Sequence, residues 1–328
     1  MRVLVTGGAG YIGSHTCVEL LNSGHEVCVI DNLCNGHEAA LKRVQNITNC
    51  ELQFMNVDIR DANALDNIFN SFKPKAVIHF AGLKAVGESV KYPLSYYDVN
   101  VGGSISLLSA MSKVGCDNIV FSSSATVYGK PEYLPYDEKH PTNPVNPYGR
   151  TKLIVENIIN DWTTEVSNRK GTVLRYFNPV GAHESGQIGE EPIGIPNNLM
   201  PYIAQVADGR REYLNIFGND YETADGTGAR DYIHVVDLAH AHVFALGQNK
   251  LNKFDVLNIG GGKSTTAFEL LKKFEETSGI TIKFKYLPRR EGDLAAFWAD
   301  SSKAFDTMSW QPERNIKKIC EDTWRWHK

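Results

Sequence analysis

The chain opens on a short apolar run, Val3–Val5, and repeats it at Glu26–Ile30, Leu52–Val57, Ala76–Phe80, Ile119–Ser122 and Thr172–Tyr176. These runs are continuous rather than alternating, and rich in β-branched residues. That is the pattern of strands covered on both faces. Helical spacing fills the gaps. Tyr11–Asn22 is closed by Gly24 as a C-terminal cap, and Ala62–Phe72 is stopped by Lys73-Pro74. Strand and helix in alternation predict an α/β fold, a doubly wound parallel (Rossmann) sheet with right-handed crossovers.

After about Tyr176 the pattern changes. Residues 178–230 are rich in Gly, Asn and Pro, as in a loop-rich region built for ligand contact. Tyr232–Val236 and Val256–Ile259 read as strands, and Asp237–Leu246 and Thr265–Thr277 as helices, partly more of the same sheet. The expected division is a dinucleotide-binding domain over 1–177, with returning segments near 232–260, and a smaller, discontinuous substrate-binding domain over 178–328. Pro93–Met111, which includes Tyr96-Tyr97, reads as one amphipathic helix. A second apolar face follows Tyr148 at Leu153, Ile154 and Ile158.

Composition narrows the class. The 328 residues are 42% hydrophobic and 22% charged, which is ordinary globular usage and excludes a disordered, collagen-like or disulfide-stapled chain. The net charge is -4 with no basic stripe, so nucleic acid and membrane surfaces gain no electrostatic support as partners. No apolar run approaches the roughly 20 residues that cross a bilayer. The first residues read as a strand rather than a signal peptide, and Arg2 excludes N-myristoylation. Six cysteines without a Cys-x-x-Cys pair predict free thiols in a reducing cytoplasm. The sequon Asn46-Ile47-Thr48 is then coincidental. His240 and His242 point apart on a helix, no cluster has metal spacing, and no metal is expected.

Two groups of residues carry chemistry. Gly7-Gly8-Ala9-Gly10-Tyr11-Ile12-Gly13 joins a strand to a helix, where Gly7, Gly10 and Gly13 allow close backbone approach and the helix N-terminus offers N–H groups to a pyrophosphate. Asp31 closes the second strand, where a carboxylate accepts from a ribose 2′-hydroxyl. It would repel a 2′-phosphate, and residues 32–36 hold no Arg or Lys, so NAD is favoured over NADP. Asp58-Ile59 closes the third strand, either beside an adenine edge or as a helix cap before Ala62. In Tyr148-Gly149-Arg150-Thr151-Lys152, Tyr148 and Lys152 share a helix face. A tyrosine pKa of about 10 is too high for a base at neutral pH. A nearby ammonium and a positive nicotinamide would lower it. Upstream, Ser123-Ser124-Ala125-Thr126 supplies hydroxyls able to hydrogen-bond the same substrate oxygen.

With Phe80–Ser89, Ser122–Tyr128, Tyr148–Lys152, Arg175–Ala182 and Gly228–Val235, the glycine turn resembles the extended short-chain dehydrogenase/reductases. Over nearly the whole length the sequence is similar to the branch that epimerises UDP-hexoses at C4, most specifically in Ala81–Ser89 and Arg289–Asp293. The resemblance implies Ser124 and Tyr148 at the sugar C4 hydroxyl and Lys152 on the nicotinamide ribose. It implies NAD against Tyr11, Ile12, Asp31, Asn32, Asn35, Asp58, Ile59, Phe80, Ala81, Gly82, Lys84 and Phe177. The UDP-sugar would meet Asn178, Asn198, Leu199, Asn215, Arg230, Tyr232, Arg290 and Asp293. Asn215 departs from the Ala of the bacterial pattern. Arg230 and Arg290 suit a diphosphate better than lysines would.

Related 4,6-dehydratases carry Asp-Glu where this chain has Ala125-Thr126, so elimination is disfavoured. The resemblance implies UDP-glucose and UDP-galactose interconversion by oxidation at C4 and return of hydride to the opposite face. It places Phe297 where bulk excludes N-acetylated sugars, core packing being the other reading of that residue. In the family the two apolar helices pair across a homodimer, although packing on their own sheet explains the same pattern. A 4-epimerase of another UDP-sugar, pentose or N-acetylhexosamine, and a catalytically silent NAD-linked sensor stay open as alternatives.

Overall fold

In the computed structural model, which describes residues 1–328 except 193, 195, 197, 248, 249, 291 and 292, the apolar runs of the first half become parallel strands. The chain runs β1 (Arg2–Thr6), α1 (Tyr11–Asn22), β2 (Glu26–Asp31), α2 (Glu38–Thr48), β3 (Gln53–Asn56), α3 (Ala62–Phe72), β4 (Ala76–His79), α4 (Val86–Lys91), α5 (Pro93–Tyr96), α6 (Gly103–Val114), β5 (Asn118–Ser124), α7 (Pro147–Glu165) and β6 (Lys170–Tyr176). It continues through β7 (Asn178–Val180), α8 (Leu199–Ala207), β8 (Leu214–Phe217), β9 (Ala229–His234), α9 (Val235–Gly247), β10 (Phe254–Ile259), β11 (Ser264–Thr266), α10 (Ala267–Ser278), β12 (Phe284–Leu287), β13 (Ala296–Phe297), α11 (Ser302–Met308) and α12 (Ile316–His327).

A seven-stranded parallel sheet has the order β10-β6-β5-β4-β1-β2-β3. Alternate residues of each strand feed two cores. Val3, Val5, Val27 and Val29 pack with Val18 and Leu238 on one face. Leu4, Cys28 and Ile30 pack with Phe69, Leu107 and Ile159 on the other. This double covering is why the runs carry no polar alternation. The order reverses between β1 and β4, and at such a switch point the carboxyl ends of the strands leave a crevice.

Of the later strands, β10 joins this sheet beside β6. The expected strand at 232–236 lies instead at Ala229–His234, in a separate sheet ordered β11-β9-β13 with β7 also on β9. Its two faces differ in cover: Ala229, Asp231 and Ile233 are buried while Arg230 and Tyr232 stay half-buried, and a strand covered on both faces would have to bury Arg230. Residues 178–230 hold more regular structure than their composition predicts. They contain β7, α8 and β8, and the last pairs with β12. A third core forms here from Met200, Ile203, Leu270, Phe274 and Ile319.

Pro93–Met111 is helical throughout but not a uniform α-helix. Between α5 and α6, residues Tyr97–Gly102 form a π-helical turn. Asn100 in that turn accepts from the Leu83 N–H at 2.7 Å and donates to the Leu83 carbonyl and to Thr151 Oγ1, each at 3.0 Å. It thereby ties the loop after β4 to α7. No helix among the described residues is long and apolar enough to cross a membrane.

Candidate active site

The crevice is a cavity of about 490 Å³ running from the glycine turn to β8 and β9. At one end, Gly7 sits at φ 71°, and a Cβ there would stand 2.7 Å from the Ala81 nitrogen. Helix α1 starts at Gly10 with no side-chain cap and no acidic residue in its first turn. Its N–H groups and partial positive charge are left for an anion, and the residues fit a dinucleotide pyrophosphate. Asp31 is pinned to this turn, accepting from the Ala9 N–H at 3.0 Å and the Leu33 N–H at 2.9 Å. Burial pushes its carboxyl upward against those two bonds.

Asp58 proves not to be the helix cap. Asp61 caps α3, accepting from the Ala64 N–H at 3.0 Å. Asp58 instead lines the cavity, gripped by both arms of Arg60 at 2.9 and 2.8 Å and by Asn32 at 2.9 Å. The Arg60 guanidinium holds its carboxyl well below the usual carboxylate range. Arg60 also bonds Asp98 at 2.6 Å, so its charge is neutralised by two carboxylates. Gly10, Tyr11, Ile12, Gly13, Asn32, Asn35, Ile59, Phe80, Ala81, Gly82, Lys84 and Phe177 share the same wall.

The middle of the cavity holds Ser124, Tyr148 and Lys152. Ser124 ends β5 and accepts from the Thr126 N–H at 3.3 Å, opening a 3-10 turn over Ala125–Val127. Asn146 caps α7 by accepting from the Gly149 N–H at 2.8 Å, which sets Tyr148 in the first turn and Lys152 one turn on. Lys152 is buried. Its Nζ donates to the Ser122 carbonyl at 2.7 Å and lies 5.8 Å from the Tyr148 ring centre. Burial lowers the ammonium to about 8, opposed by Glu156. Burial also pushes the Tyr148 hydroxyl up to about 12, opposed by its hydrogen bond with Ser124. The lowering expected for this tyrosine is not produced by the protein's own groups, because desolvation outweighs them.

The far end holds Asn178, Asn198, Leu199, Asn215, Arg230, Tyr232, Arg290 and Asp293. Arg230 pairs with Asp293 at 2.9 Å, and Arg290 lies 3.9 Å from the Phe217 ring centre. Asn215 Nδ2 reaches the Tyr202 hydroxyl at 3.4 Å, while its Oδ1 has no partner. Among the described residues, Phe297 alone of the expected set lies off the cavity wall. It sits one layer back, 4.8 Å under the Arg230 guanidinium and 6.1 Å from the Phe177 ring. Of the Arg289–Asp293 stretch, Glu291 and Gly292 lie outside the described residues. Arg289 turns to Asp220 at 2.7 Å.

Three features were not read from the sequence. Glu156 and Arg175 form a buried pair behind the catalytic strand, with Nε–Oε1 at 3.0 Å and Ser123 Oγ donating to Glu156 at 2.5 Å. The spacing of Glu156, four residues past Lys152, was the available signal. Phe217 and Glu190 line the cavity too, and nothing local in their sequence marks them.

A parallel sheet with a glycine turn, an acidic residue closing β2 and a Ser-Tyr-Lys set at the strand ends defines an extended short-chain dehydrogenase/reductase. A family model described as GDP-mannose 4,6 dehydratase matches residues 4–323. The UDP-glucose 4-epimerase of Bacillus subtilis is 54% identical over 99% of this chain and 96% of its own. A crystal structure of that enzyme from Stenotrophomonas maltophila, with bound NAD and formylated UDP-arabinopyranose, superimposes with a TM-score of 0.97 at 48% identity, covering 100% and 98% of the two chains. Another from Bifidobacterium longum, in complex with NAD+ and UDP, gives 0.95 at 46% identity, covering 99% and 98%. The chain belongs to the UDP-glucose 4-epimerase family.

Proposed function

We infer that this enzyme interconverts UDP-glucose and UDP-galactose, with NAD as its resident cofactor. The observation that carries it is the single cavity in which Ser124, Tyr148 and Lys152 stand between an anion-accepting glycine turn and two arginines. Relatives of known function and structure agree with it. Gly7–Gly13, Asp31 and Lys84 would hold the dinucleotide, with Asp31 on the adenine ribose. NAD, when bound, supplies reversible hydride acceptance from the sugar C4.

The chain's own residues do the rest. Tyr148, as tyrosinate, takes the O4 proton as C4 is oxidised, and Ser124 holds the same oxygen. The Lys152 ammonium, and the charge that the oxidised cofactor brings, oppose the burial that favours the neutral phenol. Arg230 and Arg290 grip the diphosphate, leaving the 4-keto hexose free to turn about its link to UDP. Tyr148 then returns the proton as C4 is reduced from the other face, and the centre is inverted. Elimination has no acid–base pair here, since Ala125 and Thr126 occupy the 3-10 turn where the dehydratase pair would stand.

Phe297 limits the pocket indirectly, through Arg230 and Phe177, and disfavours N-acetylated sugars. The dinucleotide part comprises residues 1–177 with α9 and β10 returning to it, and the remainder holds the nucleotide sugar. The enzyme is cytoplasmic and a homodimer paired through α5, α6 and α7. Denatured protein should release stoichiometric dinucleotide, and native protein should convert UDP-galactose without added NAD. Protein that emerges without nicotinamide and stays inert when given it would overturn the proposal.

A further inference from the structure

We propose that Glu190 is a positioning residue that ties the two halves of the cavity together, holding Lys84 on the dinucleotide side and Asn198 on the nucleotide-sugar side. The inference rests on the function proposed above. Glu190 is 8% exposed, yet lines the cavity. Its Oε1 stands 3.6 Å from Lys84 Nζ and accepts from Asn198 Nδ2 at 2.8 Å. One oxygen therefore serves a residue of the loop after β4 and the residue that opens α8.

Three observations argue that this is a built contact. Asn198 stands at the N-cap of α8 but makes no side-chain cap bond, although capping is what Asn usually does there. Its amide is committed to Glu190 instead. The Glu190 backbone is braced as well. Gly189 pairs with Ala182, and any Cβ on Gly189 would stand 2.5 Å from the Trp326 ring. Finally, Tyr11, from the glycine turn, donates to the Gly181 carbonyl at 2.7 Å, so the dinucleotide side already reaches this segment. Burying a carboxylate costs free energy unless it is paired, and the pairing here is spent on two residues that face ligands. Lys84 is 54% exposed at its side chain, so its ammonium stays open to a ligand oxygen while Glu190 draws it electrostatically.

The two partners can be separated. Glu190→Gln keeps an oxygen to accept from Asn198 but loses the charge that orients Lys84. Dinucleotide should then dissociate from the holoenzyme about fivefold faster on dialysis, while KM for UDP-galactose stays within about twofold of wild type. Glu190→Ala loses both contacts, and KM should also rise about tenfold. Released dinucleotide is read by absorbance after denaturation, and KM with saturating NAD. If the alanine variant does not fold, the split in the near-isosteric glutamine variant alone decides. Wild-type retention in Glu190→Gln, slower dinucleotide loss, or retention and KM changing in equal proportion would each overturn the proposal. Wild-type enzyme that is loaded and active beside unaffected variants removes this inference alone. Wild-type enzyme that is empty and inert removes the proposed function, and this inference with it.

Discussion

At Tyr148 two effects oppose each other. Burial pushes its hydroxyl up to about 12, while the Lys152 ammonium lies 5.8 Å from its ring centre, where a positive charge favours the anion. An opposite charge within 4–6 Å lowers such a value by about 1–3 units. With tyrosinate as the proposed base, kcat/KM should rise with pH and then level off. Lys152→Met should move that rising limb at least about one unit higher, read from the pH profile at saturating NAD. Tyr148→Phe should lower kcat by about 10²–10⁴-fold while released dinucleotide stays at the wild-type amount. Full turnover in that variant would assign the proton transfer elsewhere. Tyr148 was legible from its spacing to Lys152 on one helix face, whereas choosing Ser124 among the neighbouring hydroxyls took the family resemblance.

Among elements, Glu156 fixes α7 to two strands, to β6 through its pair with Arg175 and to β5 through the Ser123 hydroxyl. Glu156→Ala should destabilise the fold by about 3–5 kcal/mol, since it leaves a guanidinium buried without a counter-charge. Chemical denaturation would measure it, and Glu156→Leu with Arg175→Met should recover much of the loss. Asp61→Ala removes the cap of α3 and should cost about 1 kcal/mol without changing KM. Elements of this kind divide what could be read from what could not. The glycine turn and Asp31 announce themselves within one strand–helix–strand unit. Arg60 with Asp98, Glu190 with Lys84, and Glu156 with Arg175 are pairings that only the finished fold brings together. Likewise, β9 was legible as a strand, but its sheet was not. Sheet membership depends on whether both faces find apolar cover, which no local pattern states.

For the whole molecule, several of the apolar residues that the fold leaves uncovered lie on α4 to α6. Val90 is 64% exposed, Leu94 81% and Ile105 48%. A patch of this kind marks an interaction surface. If the proposed dimer pairs through these helices, Leu94→Glu with Ile105→Glu should elute as a monomer on size exclusion, with dinucleotide still bound. An unchanged elution volume would overturn that pairing.

The π-helical turn over Tyr97–Gly102 has a consequence for that surface. A π turn accommodates one residue more than an α turn, and each residue advances a helix by about 100°. Removing one residue from the turn would restore an unbroken α-helix and swing all of α6 by more than a quarter revolution. Ile105 would rotate toward the interior and a core leucine outward, while the Asn100 amide would leave the loop it clasps. The extra residue of this turn thus phases the outer face of α6 against the loop that Asn100 clasps, and a change of length there should be tolerated far less than substitution.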